Sequence, residues 1–400
     1  MHMKLKPLVT GIALALMANS AFAADTVEAQ LKAQQDLIKQ QAAAIEALSR
    51  QVQENQDAVE AAVEAVEADS GKSALDKLSI GGYGELHYNN LQGEGGASDK
   101  KSVDFHRFVM MFGYEFSDTI RFFSEVELEH SLSGDDKPGE VELEQAYIDW
   151  DLSSNLTSRS GLFLLPVGLL NETHEPDTFY GVERNNVEKY ILPTTWWEAG
   201  TGLIGRLDNG VTLQGFVHSG LETNADAKYS IRSGRQKVAK ANAEDLAVTL
   251  AVSYAGIPGL TLGGSVQYQE DVTQSQDADA GSATMLEAHV DWQYEAFRLR
   301  GLYGMWMLDG DGPKSMGADE QNGWYLEPSY MVTDKMGVFA RYSTWDNQAG
   351  DSADSAKAQT DIGVNYWIHP RVVFKADYQW QDNDSDKNQN GFNLGVGYSF

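Results

Sequence analysis

The 400-residue chain contains no cysteine, which excludes a disulfide framework, a thiolate metal site and thiol catalysis. It has no later run of about 18 uninterrupted apolar residues, so no segment qualifies as a spanning helix. Basic charge is scarce: 30 Lys and Arg stand against 59 Asp and Glu, a formal net charge of −29. That balance excludes nucleic acid as a partner. It does not exclude a membrane, because a barrel keeps its charges in the lumen and loops. Aromatics and glycine are plentiful, with 9 Trp, 17 Tyr, 15 Phe and 38 Gly. Such a mixture suits many amphipathic strands joined by tight turns better than it suits helices.

The N-terminus predicts export. Lys4 and Lys6 form a positive region, Leu8 to Ala18 is a short apolar run, and Ala21-Phe22-Ala23 is a small-residue cleavage site. Residues 1–23 therefore read as a signal peptide, with the mature chain beginning at Ala24. Leu31, Ile38, Ile45, Val52, Val59 and Val66 then repeat every seven residues. Their companion positions, Gln34, Gln41, Leu48, Asn55 and Ala62, are mostly polar or small. This pattern predicts a periplasmic α-helical coiled coil over 24–68, weak in association and specific in register. A single amphipathic helix lying on the following domain is the competing reading. Residues 69–77 read as a linker.

The C-terminus carries the clearest strand. Phe392, Leu394, Val396, Tyr398 and Phe400 fall on one face, and Gly391, Asn393, Gly395, Gly397 and Ser399 on the other. A strand closing a membrane barrel presents such an apolar side to lipid and a small polar side to a wet lumen. A terminal Phe after that alternation also resembles the insertion signal of bacterial outer-membrane barrels. Upstream, amphipathic runs of about 10 to 14 residues recur from Leu78 onward, the length of a tilted spanning strand. We count sixteen, including 119–132, 141–152, 157–170 and 211–222. Short turns alternate with longer connections, as they do between the periplasmic and external sides of such a barrel. The expected fold is an all-β transmembrane barrel of 16 antiparallel strands over 78–400, with the coiled coil as an N-terminal extension. A soluble sandwich or propeller lacks that short and long alternation. The pattern is muddier over 141–152, where Glu142 and Glu144 share a face with Ile148 and Trp150. A β-bulge or a subunit interface is expected there.

Several segments carry a family likeness: Gly81-Gly-Tyr-Gly-Glu85, Asp104-Phe-His-Arg-Phe108, Ile120-Arg-Phe-Phe-Ser-Glu125, Val141-Glu-Leu-Glu-Gln-Ala-Tyr147 and Gly161-Leu-Phe-Leu-Leu-Pro-Val-Gly168. Together with Thr173 to Gly181, they resemble the porin O and P family of phosphate-selective porins. The resemblance covers most of 78–400 and is strongest over 81–205. It implies a homotrimeric outer-membrane channel with the third external loop folded into the pore, here 171–194. In that family an arginine ladder and a loop lysine cluster carry anions.

Sorting the strands by face places Arg107, Arg121, Arg159, Arg206, Arg298, Arg300, Arg341 and Lys375 toward the pore. Pore-facing acids include Glu85, Glu115, Glu125, Glu127, Glu129, Glu287, Asp291 and Asp377. An arginine ladder moves phosphate because a planar fork binds it bidentately and successive weak sites release it. Here the acids at least match the arginines. Acids also crowd the external side, among them Asp135, Asp136, Glu140, Asp309, Asp311, Asp351, Asp354 and Asp384. A negative vestibule attracts cations over about 8 Å at physiological salt. The constriction is expected in 171–194, which mixes Glu172, Glu175, Asp177, Glu183 and Glu188 with Arg184 and Lys189. Phe179, Tyr180 and Tyr190 would pack that loop on the inner wall.

Enzymatic motifs fail. Pro176 follows His174-Glu175 and no second His completes a zinc helix. Lys387 and Asn393 break an EF-hand spacing at Asp382, Asp384 and Asp386. Ser and His are too scattered for a triad. The expected function is passive, weakly selective diffusion of small hydrophilic solutes, with no cofactor, no metal and no covalent chemistry. The alternatives are a phosphate or polyphosphate channel and a barrel-anchored tether reaching the cell wall through the coiled coil. The expected surroundings are outer-membrane lipid and lipopolysaccharide.

Overall fold

Period-two alternation carried from residue 78 to the C-terminus closes into one antiparallel barrel. The computed structural model describes residues 74–351 and 355–400, together with Lys39, Glu46, Arg50 and Gln53. Those four positions are helical and exposed. The predicted signal peptide, every position of the heptad seam and Asp354 lie outside the described residues. The chain divides into two units, Met1–Asp76 and Lys77–Phe400.

The second unit begins with β1 (Leu78–Gly93), β2 (Lys100–Glu115), β3 (Ile120–Glu129), β4 (Val141–Ser153) and β5 (Leu156–Leu164). After the longest connection come β6 (Trp197–Arg206), β7 (Val211–His218), β8 (Ala247–Ile257) and β9 (Leu260–Gln269). Next follow β10 (Ala283–Tyr294), β11 (Phe297–Leu308), β12 (Glu320–Thr333) and β13 (Met336–Asp346). The set ends with β14 (Lys357–His369), β15 (Val372–Asn383) and β16 (Gln389–Ser399). Each strand pairs with its neighbours in sequence, and β16 returns to β1 with Val396 opposite Leu86. Closure satisfies every strand's ladder and leaves no edge, the condition for strands in hydrocarbon. Sixteen strands were expected and sixteen are present among the described residues.

Residues alternate as that environment demands. Leu250, Phe374 and Leu394 are exposed on the outer face, whereas Thr249, Lys375 and Asn393 are buried in the interior. The muddled pattern on β4 has a bulge as its cause. The β3–β4 register shifts between Glu125 and Val126, which pair with Gln145 and Leu143. Glu144 is the extra residue, so Glu142 and Glu144 reach the interior while Ile148 and Trp150 face outward. A second shift, between Glu85 and Leu86, makes His106 the extra residue on β2.

The largest departure from expectation is at β5, which ends at Leu164 rather than near 170. Leu165, Val167 and Leu170 prolong the apolar pattern, yet they turn inward and are buried. With Val187, Ile191, Leu192 and Trp196, Leu165 and Val167 form an apolar core inside the barrel. Phe216, Met285, Leu302, Trp306, Tyr325 and Trp345 complete it from the strands, and Leu221, Tyr229 and Ile231 from the connection 219–246. One part of the expected wet lumen is therefore a packed hydrophobic core. The short helix α1 (Asn186–Tyr190) belongs to this inserted loop, capped by the Asn185 side chain accepting from Glu188 N–H.

Candidate functional site

The loop 165–196 lies inside the barrel because strand side chains hold its backbone. Arg107 donates to His174 O at 3.0 Å and Arg300 to Thr178 O at 3.2 Å. Arg341 donates to Tyr180 O at 3.3 Å, Asn365 to Phe179 O at 3.1 Å and Lys375 to Gly181 O at 2.8 Å. Gly181 takes a φ of +83° at this point, which a residue with a side chain adopts only with strain. The loop answers in kind. His174 Nε2 lies 2.8 Å from Tyr83 Oη, and Val182 N–H donates to Asp377 at 2.7 Å. Glu183 accepts from Asn89 at 3.1 Å, and Asp177 accepts from Ser399 at 2.8 Å. Glu188, itself buried, accepts from Tyr325 Oη at 2.7 Å and from Leu170 N–H at 2.5 Å.

The expected aromatic packing is present. Tyr180 sits 5.4 Å from the Phe339 ring, and Tyr190 stacks on Trp345 at 6.0 Å. The Lys375 ammonium lies 3.6 Å from the centre of the Phe179 ring, a cation–π contact.

These anchors change the meaning of the arginines. Arg107 is fully buried and pairs with Glu85 at 2.5 Å. Arg159 forks onto Asp149 at 2.9 and 3.0 Å and stands over the Tyr147 ring. Arg121 forks onto Asp151, and Arg298 and Arg300 share Asp291. Arg341 is held between Glu327 at 3.1 Å and Asp361 at 3.0 Å. Each of these arginines is engaged by a carboxylate. Glu125 is likewise engaged, accepting from Tyr83 at 3.1 Å and Gln145 at 2.7 Å. Glu175 contributes its carbonyl, which accepts from Thr178 at 2.7 Å.

The remaining candidates come together. A cavity of about 100 Å³ is lined from the strands by Glu85, His87, His106, Glu127, Glu129 and Glu142. The inserted loop contributes Glu183, Arg184 and Lys189, and the connection 219–246 contributes Arg232, Arg235 and Lys237. Glu127 Oε2 is buried without a hydrogen-bond partner among the described residues. Lys237 bonds to Glu142 and Glu140; burial opposes its charge, but those two bonds hold its pKa above the usual lysine value. Arg184, Lys189, Arg232 and Arg235 form no ion pair within 4.0 Å among the described residues, although Arg232 and Arg235 donate to loop carbonyls. Acids on the strands and cations on the loops border one narrow space. A second cavity of about 170 Å³ is lined by Asp177, Tyr180, Arg298, Met331 and Trp367, and Phe179 borders both.

Sequence reasoning had placed Arg184, Lys189 and Glu127 here. It missed Arg232, Arg235 and Lys237, whose signal was a basic cluster in an otherwise acidic chain.

The model of the Gram-negative porin family matches residues 206–387. A protein of Aquifex aeolicus (strain VF5) whose own role is uncharacterized is 30% identical over 354 residues, covering 81% of this chain and 80% of that relative. Among solved structures, the chain is similar to the outer membrane channel DcaP of Acinetobacter baumannii, with 14% identity and a TM-score of 0.57 over 81% of this chain and 97% of that one. It is also similar to an anion-selective porin from Comamonas acidovorans, with 12% identity and a TM-score of 0.57 over 81% of this chain and 99% of that one. OmpF of Salmonella typhi gives 12% identity and a TM-score of 0.57 over 81% and 97% of the two chains.

Proposed function

The chain belongs to the Gram-negative outer-membrane porins, and from that premise we propose that it is a passive, weakly selective diffusion channel for small hydrophilic solutes and ions. The observation that carries this reading is the narrow cavity bordered by strand acids and loop cations. Opposed charges across a constriction orient dipolar solutes without binding any of them tightly, and weak binding is what lets a solute leave. The acidic external loops raise the local cation concentration, while the uncompensated cations of the constriction favour anions. The two effects oppose each other, so selectivity is weak. No covalent step or cofactor enters this transport.

Reversal potential across a planar bilayer in a potassium chloride gradient tests it. A value near zero, together with resolved single-channel steps, supports the reading; strong preference for either ion sinks it. A phosphate or polyphosphate channel is the second reading, favoured by Arg184, Lys189, Arg232 and Arg235 having no carboxylate partner within ion-pair distance among the described residues. Sub-millimolar phosphate blocking chloride current, with the block lost in R184Q/K189Q, would establish it instead.

We further propose a homotrimer whose periplasmic extension, 24–68, promotes association or contacts the cell wall. Deleting 25–72 should leave single-channel conductance intact and lower trimer recovery or wall attachment. Loss of membrane insertion in that deletion would mean the segment is no accessory.

A further inference from the structure

We propose that Asp104, His106 and His130 form a binding site for a transition-metal dication of the zinc and copper class, in the external half of the lumen. Three observations carry it.

The first is convergence. β2 runs inward from the external side, which places Asp104 and His106 near its external end. His130 immediately follows the external end of β3. His130 Nδ1 lies 2.8 Å from Asp104 Oδ2, and His106 Nδ1 lies 3.3 Å from that same oxygen. One ligand atom from each of the three residues falls within 4.8 Å of the others. Tetrahedral zinc with bonds of roughly 2.0–2.1 Å holds its ligands somewhat over 3 Å apart. Small side-chain rotations therefore separate the observed spacing from a coordinating one.

The second is how the backbone brings the donors together. The β2 bulge makes His106 the extra residue beside Arg107. His130 adopts a φ of +51°, and its N–H donates to His106 O at 3.1 Å. Bulges re-aim side chains, and here both irregularities fall on the two histidines. His106 is further fixed by stacking on His87 at 4.7 Å with ring planes 18° apart.

The third is donor chemistry. Two imidazoles and one carboxylate with solvent on the remaining side suit zinc, copper or nickel, and suit calcium or magnesium poorly. The half-buried ligands face a lumen that also carries Glu129, adjacent to His130, whose charge favours a cation.

His106 lines the constricted cavity, so an ion held here adds two positive charges at its lip. The proposal does not rest on the channel reading, because binding is measured without conductance. The test is calorimetric titration of zinc chloride into the folded full-length protein in detergent, free of any histidine tag. One zinc per chain is expected, undisturbed by excess magnesium. H106Q and H130Q should each weaken it on the order of tenfold or more. The absence of saturable zinc binding, or undiminished binding in H106Q/H130Q, overturns the site. Should the variants misfold, electron paramagnetic resonance of copper bound to the unaltered protein decides: coupling to two imidazole nitrogens supports the assignment and none refutes it.

Discussion

The inner face of β1–β4 and the external half of the inner face of β10–β13 meet the same inserted loop with different chemistry, Arg300 and Arg341 holding the loop nearer the periplasmic ends of the latter. On the first, Glu85, His87, Arg107, Glu125, Glu127 and Glu144 are buried and polar. On the second, Met285, Leu302, Trp306, Leu308, Tyr325 and Trp345 form a core with Ile191, Leu192 and Trp196. Apolar contact is non-directional and excludes water, so that side fixes where the loop lies. Charged contact keeps some water and some space, and the cavity of about 100 Å³ lies on that side. A barrel can thus position a constriction by making its interior amphipathic around the circumference.

Removing the loop should break the contrast most. Deleting 174–190 should raise single-channel conductance severalfold, because neither face then has anything to narrow. An unchanged conductance would put the narrowing elsewhere. The next largest effect belongs to the apolar side. Trp306 is fully buried and donates from Nε1 to Ile191 O at 2.9 Å. Trp306→Ala should lower barrel stability by about 3–5 kcal/mol, read as the urea midpoint of unfolding in detergent. An effect below that of a surface change would deny the core its role.

Neutralising charges on the polar side should leave stability largely intact and move selectivity. R184Q/K189Q should shift the reversal potential toward cations, and E127Q/E129Q toward anions. Shifts of the same sign in both would contradict the opposed charges of the cavity. Least of all should follow from Arg121→Gln. That side chain is 40% exposed beside Asp151, so about 0–1 kcal/mol is expected in the same urea assay, with conductance unchanged.

The outer face of this molecule was legible in its sequence and the inner face only partly. Lipid imposes one rule on every outward residue, so Leu246 to Tyr254 and Val372 to Trp380 announce their strands. The bulge at Glu144 was also readable, because charge and indole on one face cannot both meet lipid. Inside, the environment differs from place to place. Leu302, Trp306 and Leu308 oppose Tyr303, Met305 and Met307 on β11, so both faces are apolar and alternation carries no signal. Leu165 and Val167 looked like more of β5 for the same reason. Arg107, Arg300 and Arg341 are buried, whereas Arg206, expected toward the pore, is exposed, and the state of none of them was legible. Which carboxylate engages Arg341 depends on Glu327 and Asp361, and these lie on different strands. Such pairing is set by tertiary register and leaves no mark in local spacing.

The loop's anchors also straddle the seam where the first and last strands meet. His174 and Glu183 reach Tyr83 and Asn89 on β1, while Asp177 and Val182 reach Ser399 on β16 and Asp377 on β15. The last strands to emerge during synthesis therefore dock onto a loop made much earlier. A barrel zipped shut without that loop would leave Leu302, Trp306 and Leu308 of its inner wall facing water instead of Ile191, Leu192 and Trp196, which is costly. Closure of the seam and docking of the inserted loop are thereby coupled, and a wide barrel without the loop is disfavoured.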